Sequence, residues 1–127
     1  MINSIILSNK FIGKEELIKF LNNINYNYEF GHNDEDIWVI NGDKILLKIE
    51  VNCLNDKEKS KIDIENLRQL EESKYALPIK NPYCFSVEHD DVEALYQLLR
   101  EVYKYDNNAY VTHETKDKYY KISKIVK

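Results

Sequence analysis

The chain has 127 residues, 43% apolar and 31% charged, with a net charge of −4. That size suits one domain over residues 1–127, able to bury roughly two-thirds of its unfolded surface without disulfide or metal staples. The acidic balance excludes a general nucleic-acid binder, which needs basic surface against phosphate, and ten Tyr, four Phe and one Trp exclude a disordered chain.

Asn3 to Phe11 reads as a first strand around Ile5, Ile6 and Leu7. Gly13 and Lys14 break it, and Glu15 and Glu16 favour a helix start, where carboxylates meet the positive end of the dipole. Leu17, Ile18, Leu21 and Ile24 fall on one helical face. Tyr26, Tyr28 and Phe30 alternate with polar residues as a strand, and Gly31 to Asp36 is a polar turn. Ile37 to Ile40 and Lys44 to Val51 form a hairpin around Asn41-Gly42, read as a type I′ turn. The returning arm directs Ile45, Leu47, Ile49 and Val51 to the core, and Lys48 and Glu50 away from it.

Ile64, Leu67 and Leu70 support a second helix reaching about Tyr75, which the Pro78 and Pro82 segment stops. Tyr83 to Glu88 reads as a strand. Asp90, with Glu93 three residues on, makes a capping box for a third helix carrying Val92, Leu95, Tyr96, Leu99, Val102 and Tyr103. Asp106-Asn107-Asn108 ends it, and Ala109 to His113 with Tyr119 to Ile125 closes the chain as a hairpin. The expected class is α+β: an antiparallel sheet of six or seven strands with three helices, in two strand-helix-strand-strand halves.

Chemistry-bearing residues are sparse. Cys53 and Cys84 sit in apolar strand settings, without metal spacing, as packed thiols. Three isolated glycines build no phosphate loop, and no nucleophile elbow occurs. All three histidines have acidic neighbours: His32 near Asp34 and Asp36, His89 beside Asp90 and Asp91, His113 beside Glu114. Acids are common enough here to place such neighbours by chance, so no catalytic residue, metal ligand or cofactor is assigned. No stretch approaches the ~20 apolar residues of a membrane span. The N-terminal stretch has no basic start for a signal peptide, so cytoplasm is the expected compartment.

Charge patterning says more. Glu29, Asp34, Glu35 and Asp36 form one acidic stretch, and Glu88, Asp90, Asp91 and Glu93 another, neither containing a base. Beside Tyr28 and Trp38, such patches suit a basic protein partner, since aromatics anchor interfaces and opposite charge speeds encounter. In size, charge and element order the chain resembles the small immunity proteins that bacteria make against secreted toxins, and phage-encoded inhibitors of host enzymes. The resemblance implies a protein that neutralises a partner, with acidic loops over a basic cleft, such as that of a nuclease; it rests on no motif and assigns no residue. The residues themselves nominate Asp34, Asp36, Asp90 and Asp91 as contacts, with Trp38 or Tyr28 as anchor. Two other functions fit the sequence: a metal-dependent hydrolase using His32 and nearby acids, and a homodimeric structural or regulatory subunit.

Overall fold

A computed structural model describes residues 2–24, 28–33, 35–50, 82–112 and 119–126. Strand β1 (Ile2–Ser8) leads to helix α1 (Lys14–Asn22), then to β2 (Glu29–His32), β3 (Asp36–Asn41) and β4 (Lys44–Glu50). The chain continues as β5 (Tyr83–His89), α2 (Val92–Tyr105), β6 (Tyr110–Thr112), β7 (Tyr119–Lys121) and α3 (Ile122–Val126). The class is α+β: one open, antiparallel, seven-stranded sheet ordered β2-β3-β4-β5-β1-β6-β7, with three helices among the described residues. The helix expected near residues 64–75, and Cys53, lie outside the described residues.

The two expected halves interlock. β1, the leading strand of the first, runs between β5 and β6 of the second, while β5 pairs with β4 of the first. Each half thus completes its hydrogen-bond ladder with a strand of the other.

One face of the sheet carries the main core. Alternation places Ile6, Ile37, Val39, Leu47, Ile49, Phe85 and Val87 there, all at most 3% exposed. Leu17, Phe20 and Leu21 of α1 and Ala94, Leu95, Leu98, Leu99 and Val102 of α2 pack into the same cluster. Each fully buried Leu or Ile stabilises the fold by about 1.5–3 kcal/mol relative to an exposed one. A smaller cluster of Ile5, Leu7 and Cys84, flanked by Tyr110 and Tyr119, lies on the other face.

Several local features differ from the sequence expectation. The hairpin turn is Gly42–Asp43, one residue later than expected, because Asn41 still pairs with Lys44; Gly42 supplies the positive φ of 63°. A bulge follows. Val39 faces Leu47 but Ile40 faces Ile45, which leaves Leu46 as the extra residue. Leu46 therefore turns into the core and Ile45 turns out, 46% exposed, instead of inward. The Leu46 carbonyl accepts the Asp90 N–H at 3.1 Å and so fixes the β5–α2 corner.

Asp91, not Asp90, caps α2: its Oδ1 accepts the Ala94 N–H at 2.9 Å. The expected last strand stops at Lys121 and becomes α3, whose buried Ile122 donates its N–H to the Ala109 carbonyl. At the far end of α2, Asp106 accepts from the Ser8 hydroxyl at 3.0 Å and from the Asn9 and Asn108 backbone N–H groups at 2.7 and 3.0 Å. It ties the end of β1 to the end of α2. Burial pushes its carboxyl up, but these bonds and one from the Asn9 amide outweigh that and hold it below the ordinary carboxylate value.

Candidate functional site

The sheet face away from the main core gathers polar residues over β3, β4 and β5. Outward alternation places Asp36, Trp38 and Ile40 on β3, Lys48 and Glu50 on β4, and Ser86 and Glu88 on β5. Register aligns them in rows. Gly31, Trp38, Lys48, Glu88 and Asn3 form one row across five strands, and Asp36 faces Glu50 in the next. Asn3, Lys48, Glu50, Ser86 and Glu88 line an open cleft of about 170 Å³.

Trp38 is held by Gly31. The indole lies so close over the Gly31 backbone that a Cβ there would sit 2.8 Å from Nε1. Asp36 is placed by Asn33, whose Oδ1 accepts the Glu35 and Asp36 N–H groups at 2.8 and 2.7 Å, and whose own N–H donates to the Asp36 carbonyl. The Asp36 carboxylate meets the Lys48 ammonium at 3.9 Å. Directly opposite Asp36 stands Glu50, a like-charge cross-strand pair that works against the sheet.

The five described residues among the six nominated from the sequence do not form one patch. Asp36 and Trp38 share the outer face. Tyr28 instead packs against the main core, where burial and then the Asp91 and Glu93 carboxylates raise its phenol above the ordinary value. Tyr28 and Asp91 are thus brought together at the α2 end of the molecule. Asp90 is exposed at the β5–α2 corner, and Asp34 lies outside the described residues. Strand pairing adds Glu50, Ser86 and Asn3, which sequence reasoning missed. Glu50 was legible as outward-facing, but its position opposite Asp36 depends on a register shifted by the bulge.

The histidines divide as well. His89 is 1% exposed, with Nε2 3.0 Å from the Ser4 hydroxyl on the core side. A serine beside a histidine is the pairing that nucleophilic catalysis uses, yet here both are sealed under the helices, out of reach of a substrate. His32 is exposed at the end of β2, and His113 lies outside the described residues. Among the described residues no group of three His, Cys, Asp or Glu side chains could hold a metal ion, and no helix is long and apolar enough to cross a membrane. Comparison of the chain with protein-family models, curated proteins and solved structures finds no match.

Proposed function

We propose that this chain is a protein-binding module that neutralises a partner with a basic surface, as an immunity protein neutralises a toxin. One observation carries the reading: the pairing of β3, β4 and β5 collects acids from separate parts of the sequence, Asp36, Glu50 and Glu88, on the one accessible sheet face that also carries Trp38 and Lys48. An aromatic anchor among charges suits recognition of a complementary surface. The Ser4–His89 pair, enclosed in the core, serves to satisfy buried polar groups.

Affinity capture with the tagged chain, followed by an activity assay of the captured protein, tests this. The reading expects a stoichiometric partner whose activity falls as the chain is added. A chain that captures nothing stoichiometric, or whose partner works unchanged in the complex, overturns it.

A further inference from the structure

We infer that the partner docks on the outer face of the β3–β4 hairpin, with Trp38, Ile40 and Ile45 as its apolar centre and Glu29, Asp36, Glu50 and Glu88 as its acidic rim. The inference rests on the binding reading above and fits a protein segment that interleaves basic and aliphatic side chains.

Three features of the face converge on this. The first is the bulge at Leu46. Unbroken alternation with Leu47 and Ile49 would put Ile45 in the core; with the extra residue it stands outward, opposite half-buried Ile40 and in line with Glu29. A large aliphatic side chain at 46% exposure thus stands on the same face as the only tryptophan in the chain. The second is charge. Glu29, Asp36, Glu50 and Glu88 share this face with Lys48, and Lys48 is 3.9 Å from Asp36. Glu29, Glu50 and Glu88 are exposed, which leaves a negative excess for a basic surface to offset. The third is the like-charge pair Asp36–Glu50. Facing carboxylates work against the strand pairing, and a rule broken locally is what a recognition surface shows when it is shaped for something other than its own fold. The cleft between Lys48, Glu50, Ser86, Glu88 and Asn3 continues the same face.

The test is an NMR titration of the isotopically labelled full chain with a short peptide alternating lysine and leucine, set against an all-lysine peptide of equal length. Backbone amide shifts should change at Trp38, Ile40, Ile45, Glu50 and Glu88. The alternating peptide should bind about tenfold more tightly, the effect of burying one aliphatic side chain. Ile45→Ser should remove that advantage while leaving all-lysine binding as it was. Glu50→Gln with Glu88→Gln should weaken both peptides. Shifts that map to α1 or α2, equal affinity for the two peptides, or no shifts with either would overturn the docking face. The capture experiment judges the binding reading separately: a neutralised partner whose complex is unaffected by Ile45→Ser and the double Gln variant would leave that reading standing and remove this surface.

Discussion

The two faces of the sheet are built from the same strands but obey different rules. On the core side of β3, β4 and β5, Ile37, Val39, Leu47, Ile49 and Val87 are fully buried in one cluster with side chains of two helices. On the outer side, one residue away along each strand, Asp36, Trp38, Lys48, Glu50 and Glu88 stand partly or fully in solvent. The first face makes the fold stable; the second tolerates facing carboxylates that the first could never bury. Over β3–β5 the packed and the solvent-facing side chains are thus separated by the two-residue period of a strand.

The largest expected effect lies on the core face. Leu98→Ala, at a position with no exposure, removes packing under the sheet and leaves a cavity, at a cost of about 3 kcal/mol. Lys48→Ala on the outer face should stay within about 0.5 kcal/mol, because its ion pair is long and its side chain 44% exposed. Urea denaturation of both variants checks the contrast. Similar losses would mean that the outer face is structural too.

Asp106 sharpens the comparison from the edge of the core. Asp106→Asn should cost about 2 kcal/mol at neutral pH, since several donors lose a charged acceptor. Its carboxyl is held below the ordinary 3.8, so the folded state favours the ionised form. The stability this contributes is fully present above that ordinary value and is lost as pH falls below it through the folded value. Denaturation midpoints of the two proteins should therefore converge under strong acid. A gap unchanged between neutral pH and strong acid would show that the carboxylate charge is not what these donors hold.

Much of the core face was legible beforehand, for a physical reason. Helical spacing of Leu95, Leu99 and Val102, and strand alternation through Ile37, Val39, Leu47 and Ile49, are local patterns that burial then enforces. The outer face was legible only in part. Trp38 and Asp36 were nominated from composition near a turn, but the company they keep depends on pairing between distant strands. Tyr28 is equally suitable as an anchor by sequence; its alternation matches a strand without saying which face is covered, and in the structure it is half-buried against the main core. Ile45 was misplaced because a bulge changes register without leaving a mark in hydrophobic periodicity. The same blindness hid Glu50 opposite Asp36.

A smaller effect comes from Gly31→Ala. The added methyl would meet the Trp38 indole at 2.8 Å, so the ring must swing away. The stability cost should be about 1 kcal/mol. The sole tryptophan makes the displacement visible as a change in intrinsic fluorescence. Because no charge changes, weaker partner binding by this variant would isolate the role of the indole's position. An unchanged emission spectrum would show that the ring is not fixed by Gly31.

The smallest stability effect is the most telling for function. Glu50→Gln replaces one member of a facing carboxylate pair by a neutral side chain of the same shape. If only the fold mattered, this would be an improvement. Relief of like-charge repulsion across β3–β4 should stabilise the protein by roughly 0.3 kcal/mol, and the gain should shrink with added salt. If the acid serves recognition, the same variant should associate with the basic partner more slowly, and its rate should depend less steeply on ionic strength. Stability and association would then move in opposite directions from one atom exchange, the trade expected where a surface is kept at some cost to its fold. Stopped-flow association against a salt series, alongside urea midpoints, measures both. A variant that gained stability and bound as fast as before would show that Glu50 contributes repulsion alone.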